Sequence, residues 1–365
     1  MATYAQKRLL IIFTGGTIAG NVAESTVVQS VKSDPDSFLG IVEASVATVK
    51  KNWNIEIKPE IVELFNVDSS NIVPKNWSAL AAKIQETYDQ YDAYVILHGT
   101  NTMGYTCAAL SFALENINKP VIVTGAQVPL GYLGSDATTN LINALRLAVW
   151  GYHPVKGVMA VFGSKIISGV RVKKGTDFDY DPFSSFITGA LGQIGRFMRI
   201  NAAALDKHNS YLSKVKPLAI QSRTLSVKKD FDTSHIASLS EFPGMSPDLF
   251  RVLVEHAGAR AFIFRSFGAG DASAHLFPGF EYLKEKEIPI MVTSQAPSGV
   301  ASFQVNETGQ YLKEHDLAIP AYDMSIESMT TKLGWLLAQG FGYEQIKSKM
   351  LEDLHGEINI ENELL

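Results

Sequence analysis

Short unbroken apolar runs separated by helical patterns set the rhythm of the first half of this chain. Residues 9–13 (LLIIF), 94–97 (YVIL), 120–123 (PVIV) and 158–162 (VMAVF) have strand length and are rich in Val, Ile and Leu. Strands covered on both faces look like this, which predicts a parallel sheet. Between them Trp77, Leu80, Ala81, Ile84 and Tyr88 recur at helical spacing. A further helix is expected from a cap at Asp136 through Leu141, Ala144, Leu145 and Ala148. Such alternation predicts right-handed βαβ units in a doubly wound sheet.

Past Ile200 the rhythm changes. Residues 201–222 are mixed and weakly periodic, so they read as a linker between an N-terminal domain over 1–200 and a C-terminal one over 223–365. In the second domain Ser246-Pro247 opens a helix with Leu249, Phe250, Leu253 and Val254 facing inward, and Gly258 stops it. Strands follow at 261–264 (AFIF) and 289–292 (PIMV), then a helix near 325–339 that ends at Gly340. The expected fold class is α/β, with a larger, mainly parallel doubly wound N-terminal domain and a smaller C-terminal α/β domain.

Composition narrows the function classes. A chain of 365 residues, 46% hydrophobic and 19% charged, suits a folded two-domain enzyme. Its net charge of -5, from 32 basic and 37 acidic residues, offers no footprint for nucleic acid or an anionic membrane. No continuous apolar run has the ~18 residues that a spanning helix needs. The N-terminal apolar patch, 9–13, is short and is followed by no small-residue cleavage site, so it reads as a first buried strand. The lone Cys107 cannot form an internal disulfide and reads as a small buried hydrophobe. These features predict a cytoplasmic protein.

Candidate chemistry sits in loops after the strands, where parallel sheets place their sites. Residues 13–20 (FTGGTIAG) fit neither the dinucleotide nor the P-loop pattern. A ligand loop and a structural turn both fit, and the two threonines favour the former, since a hydroxyl held there can act as a nucleophile. Residues 98–103 (HGTNTM) present further hydroxyls and an amide. No Gly-x-Ser-x-Gly elbow supplies a serine for His98, which reads instead as a hydrogen-bonded structural histidine. Residues 67–71 (VDSSN) fit a helix-capping turn or a substrate contact equally well. The Lys173-Lys174 pair fits a solvated face, and residues 266–271 (SFGAGD) again follow a strand. No metal-ligand spacing is present.

Together these loops resemble the asparaginase/glutaminase superfamily, especially its type I bacterial branch. TGGTIAG and HGTNTM are similar to its two signatures, and the likeness continues through SSNIVPKNW, ALSFALENINKPVIVTGAQVPL, the G-x-R-x-x-K segment, FRSFGAGDA, DMSIESMTTKL and LHGEI. The resemblance implies hydrolysis of L-asparagine to L-aspartate and ammonia without a cofactor. It also implies a homodimer or homotetramer whose sites are completed across a subunit interface. Carried over, Thr17 is the nucleophile, and Thr100 and Lys174 handle its proton. Ser69, with Ser70 beside it, holds the substrate's α-carboxylate, and the Ala126 carbonyl receives the leaving nitrogen.

Three positions depart from the family pattern. Asn101 stands where the second signature has an aspartate that binds the α-ammonium, and Asp271 where the family has asparagine. Residues 21–35 hold no tyrosine, and Val27 falls about where one is expected. The first two departures suggest a charge swap, in which Asp271 supplies the carboxylate that Asn101 lacks. Drift toward another amide, or toward a metabolite-binding role without catalysis, would leave the same marks.

Overall fold

The structure is a computed structural model and describes residues 6–16, 35–130, 132–212 and 225–360. Its contacts divide the chain into two compact units, Met1–Lys229 and Asp230–Leu365.

In the first unit the elements are β1 (Gln6–Phe13), α1 (Pro35–Trp53), β2 (Glu56–Glu63), α2 (Pro74–Thr87), β3 (Ala93–Leu97), α3 (Met103–Ala113), β4 (Leu114–Glu115), β5 (Pro120–Thr124) and α4 (Ala137–Ala148). After these come β6 (Gly157–Phe162), β7 (Lys165–Ser168), β8 (Val172–Lys174), β9 (Phe183–Ser185), β10 (Gly192–Ile194), β11 (Met198–Ile200), α5 (Ala202–Tyr211) and β12 (Ser226–Val227). The main sheet has the order β11-β10-β7-β6-β5-β3-β1-β2. From β2 to β6 neighbouring strands are parallel, and β7, β10 and β11 extend the sheet antiparallel. The four apolar runs form its middle. All of β3 is buried, and so is β1 from Leu9 onward, each large aliphatic side chain contributing about 1.5–3 kcal/mol by leaving water. Chain order reverses between β1 and β3, because β2 lies on one side of β1 and β3 on the other. At such a switch point the loops at the carboxyl ends diverge and leave a crevice.

The first unit departs from these expectations in two places. The expected linker over 201–222 carries α5, whose Asn201 side chain caps the Ala204 N–H, and the units divide at Lys229/Asp230 rather than near 223. Only Leu205 and His208 of α5 are buried, too few positions to show a helical period. Asp136 does stand at the N-cap of α4, but its carboxylate does not cap it. It accepts instead from the backbone N–H groups of Gln127 and Val128.

The second unit contains β13 (Ile236–Ser240), α6 (Asp248–Ala257), β14 (Ala261–Ser266), α7 (Phe277–Glu285), β15 (Ile290–Ser294), α8 (Glu307–Glu314), β16 (Ile319–Pro320), α9 (Ile326–Ala338) and α10 (Tyr343–Leu351). Its sheet is β13-β14-β15-β16, parallel throughout. Phe250 on α6 lies 5.7, 5.6 and 5.3 Å from the ring centroids of Phe262, Phe264 and Phe280, so aromatic packing dominates this core. Gly258, in the left-handed region at φ 67°, ends α6 as its sequence position suggested. Leu249, expected to face inward, is exposed, and Phe250 alone on α6 is buried.

Candidate active site

Loops at the carboxyl ends of β1, β3 and β5 are fastened to one another by backbone. Thr14 donates to the Leu97 carbonyl from both its N–H (3.1 Å) and its hydroxyl (2.9 Å), and its own carbonyl accepts from Val67 N–H at 3.2 Å. Gly15 and Gly16 have φ values of 100° and 86°, which only glycine adopts without strain. A Cβ on Gly16 would stand 2.5 Å from the Gly99 Cα, so the first two loops touch through bare backbone. The His98 N–H donates to the Thr124 carbonyl at 2.8 Å, which ties in the loop carrying Gly125 and Ala126.

Around this join the polar side chains converge. The Lys174 ammonium, at the end of β8, donates to the Thr100 hydroxyl at 2.9 Å and to Asn101 Oδ1 at 3.0 Å. Asn101 Nδ2 donates to the Ser70 hydroxyl at 2.9 Å, and its backbone N–H donates to the Ser69 hydroxyl at 3.2 Å. Thr102 Oγ1 donates to the Ser69 carbonyl at 2.7 Å, and Asp68 Oδ1 accepts from Ser70 N–H at 2.7 Å. Thr100, Asn101, Lys174, Ser69 and Ser70 thus form one connected group. Thr100 and Ser69 are buried, Lys174 is half-buried, and Asn101 and Ser70 are exposed.

Burial pushes the Lys174 ammonium below the ordinary lysine range, and the charge of Asp177 pulls the other way. A lysine with a depressed pKa, in contact with a hydroxyl, gives up its proton more readily than an ordinary lysine and can exchange one with that hydroxyl.

Ala126 is fully buried in the loop after β5, where a Cβ on its neighbour Gly125 would lie 2.2 Å from the His98 carbonyl oxygen. Thr17 and Val27 lie outside the described residues. Asp271 belongs to the second unit. There its Oδ2 accepts from Asn306 Nδ2 at 2.6 Å and from Ala269 N–H at 3.2 Å, while its buried Oδ1 has no hydrogen-bond partner among the described residues. Cys107 is a buried free thiol on α3, and burial raises it far above the range of a reactive thiolate.

Two residues beside the candidate site were not singled out for it from the sequence. Asp136 holds Gln127 and Val128, next to Ala126, and its only sequence signal was that of a helix cap. Asp177, three residues past Lys174 in DFDYD, gave only the signal of an acidic loop.

Among the described residues no group of three or more His, Cys, Asp or Glu is placed to hold a metal ion, and no helix is long and apolar enough to cross a membrane. Hydroxyls joined to a partly desolvated amine at the carboxyl ends of a parallel sheet are groups that acyl transfer by an activated hydroxyl could use.

Comparison with known proteins gives that class its family. Residues 8–205 match the family model "Asparaginase, N-terminal", and residues 235–350 match "Glutaminase/Asparaginase C-terminal domain". The chain is 31% identical to L-asparaginase 1 of Escherichia coli (strain K12) over 97% of its own length and 98% of that protein. It is 28% identical to a glutamyl-tRNA(Gln) amidotransferase component from Methanococcus maripaludis, over 97% of its length and 81% of that protein. Among solved structures, L-asparaginase I from Vibrio cholerae superposes with a TM-score of 0.80 at 30% identity, covering 97% of this chain and 100% of that one. The chain belongs to the asparaginase family and is an amidohydrolase.

Proposed function

We propose that this chain hydrolyses the side-chain amide of L-asparagine, giving L-aspartate and ammonia. The Thr17 hydroxyl attacks the amide carbon as Thr100 and the neutral Lys174 amine take up its proton. The tetrahedral oxyanion collapses as the nitrogen takes that proton from the Lys174–Thr100 pair and leaves as ammonia past the Ala126 carbonyl. Water then cleaves the threonyl ester and releases aspartate. Ser69 and Ser70 hold the substrate's α-carboxylate, and Asp271 supplies negative charge toward its ammonium. No cofactor takes part. The working protein is a cytoplasmic homodimer or homotetramer.

One observation carries this reading: the 2.9 Å contact between Lys174 Nζ and Thr100 Oγ1 beside the Ser69 hydroxyl. Support also comes from family membership and from Gly16, the residue before Thr17, which abuts Gly99. Ammonia release from L-asparagine, D-asparagine, L-glutamine and simple amides tests it. L-asparagine should be the best substrate and Thr17→Val should abolish turnover. Full activity in Thr17→Val would sink the mechanism.

A second reading is favoured by Asn101, whose neutral amide replaces a carboxylate beside Lys174. An altered amide substrate then becomes the alternative, and the likeness to an amidotransferase component points the same way. Turnover of simple amides at rates equal to asparagine would select it. Thermal stabilisation by aspartate without any turnover would select a metabolite-binding protein instead.

A further inference from the structure

His98, in the loop after β3, is fully buried yet makes no hydrogen bond to the hydroxyl–amine group, and the mechanism above gives it no task. Both nitrogens of its ring meet polar partners. Trp77 Nε1, on α2, donates to the Thr106 hydroxyl at 3.1 Å. Thr106, on α3, lies 2.9 Å from His98 Nε2. His98 Nδ1 lies 2.6 Å from the Gly99 carbonyl oxygen.

Donor and acceptor rules settle the direction of the bonds at the two ends of this chain. An indole N–H only donates, so the Thr106 oxygen accepts from Trp77, and its own hydrogen can point to His98 Nε2 when that nitrogen is unprotonated. A carbonyl only accepts, so Nδ1 carries the ring proton. With hydrogen on Nδ1, the neutral ring accepts at Nε2 from Thr106, and every group in the chain is satisfied in that form. Burial favours that neutral form by pushing the imidazole down to about 4.

We infer that Trp77, Thr106 and His98 form a relay of positioning residues that fixes the ring proton on His98 Nδ1 and thereby holds the Gly99 peptide from which Thr100 projects. The inference rests on the proton-handling role proposed for Thr100. The Gly99 peptide is where small displacements matter. A Cβ on Gly99 would stand 2.6 Å from the Ser69 hydroxyl and 3.3 Å from the Gly16 Cα, so both neighbouring loops pack closely on this residue. Rotation of the Gly99–Thr100 peptide would swing the Thr100 hydroxyl away from Lys174.

Two substitutions at one position separate this role from simple space-filling. In His98→Asn the amide nitrogen can replace Nδ1 and keep the bond to the Gly99 carbonyl. In His98→Gln, closer to histidine in size, the amide reaches the Nε2 position and leaves that carbonyl unbonded. Amidase assays should show His98→Asn within about 3-fold of the parent kcat and His98→Gln down about 10²-fold at little-changed KM, the scale of a 1 Å misplacement. Equal losses, or a better His98→Gln, would overturn the relay, since volume alone predicts that order. Nitrogen NMR of the unsubstituted protein gives a readout free of folding defects and of turnover. The His98 ring should stay neutral with its proton on Nδ1 between pH 5 and 8, and a proton on Nε2 would overturn the inference. Full activity in Thr100→Val would fell the role of Thr100 instead, and the NMR result would still decide the relay.

Discussion

Lys174 and Thr100, 74 residues apart, meet with the ammonium nitrogen 2.9 Å from the hydroxyl oxygen. The contact depends on two local features. Alternation along β8 sends Lys174 and Lys173 to opposite faces. The loop after β3 turns Thr100 toward the same space.

If Lys174 works as a base, its neutral form does the work, and burial brings that form within reach by depressing its pKa. The rate should therefore rise with pH through an apparent pKa below the ordinary lysine value of about 10.4. Asp177 favours the ammonium, so Asp177→Asn should move this acid limb to lower pH. Lys174→Met and Lys174→Arg should both lose about 10²–10⁴-fold in kcat, because arginine stays protonated. A pH profile of kcat/KM for each protein checks this, and an unmoved limb in Asp177→Asn would count against Lys174 as the base.

Asn101 gives Lys174 an oxygen without a charge, 3.0 Å away. Asn101→Asp would place a carboxylate there, favour the ammonium, and shift the acid limb to higher pH. In the charge-swap reading Asp271→Asn costs far more activity toward L-asparagine than Asn101→Ala does. Asp271 also holds Ala269 in its own loop and Asn306 at the start of α8, so melting temperatures should accompany the kinetics. Equal, mild losses in the two variants would dispose of the swap.

Gly16→Ala and Gly99→Ala crowd the same join by different amounts. At Gly16 a methyl group meets Gly99 backbone at 2.5 Å from a φ of 86°, and neither can yield. At Gly99 it meets the Ser69 side chain, Oγ at 2.6 Å and Cβ at 2.7 Å, so Ser69 itself must shift. Gly16→Ala should leave activity below detection. Gly99→Ala should mainly raise KM, about 10-fold or more, as one hydrogen bond to a charged group is lost. Steady-state kinetics on L-asparagine distinguish the two.

Much of this was legible because buried strands and their loops write a simple pattern. β1, β3, β5 and β6 are apolar on both faces, and the hydroxyl-bearing loops follow the first two directly. β2 was not legible. It is the edge strand, mostly exposed, and carries Pro59, which an edge tolerates and a central strand does not. The duty of Asp136 was hidden for another reason. A cap signal gives a residue's position, but only the fold shows that its carboxylate faces Gln127 and Val128 instead of its own helix.

In the second unit, Lys332 of α9 and Glu357 form an ion pair at 2.6 Å with both side chains fully buried, 0% exposed. Burial alone would raise the Glu357 carboxyl. The Lys332 charge and the His355 N–H more than offset this and hold it at about 2. Leu354 N–H also donates to the same carboxylate, so the pair fastens residues 354–357 to α9. A carboxyl depressed in the folded state contributes stability that is present above its unfolded pKa of about 4.3 and is lost as pH falls toward 2. Glu357→Gln leaves a buried lysine without its counter-charge and should cost about 3–5 kcal/mol, whereas Lys332→Met with Glu357→Leu should cost much less. Denaturant unfolding at pH 7 and pH 3 measures both effects. The acid-induced loss should be smaller in the double variant than in the parent, and an equal loss would show that other carboxyls carry the acid sensitivity.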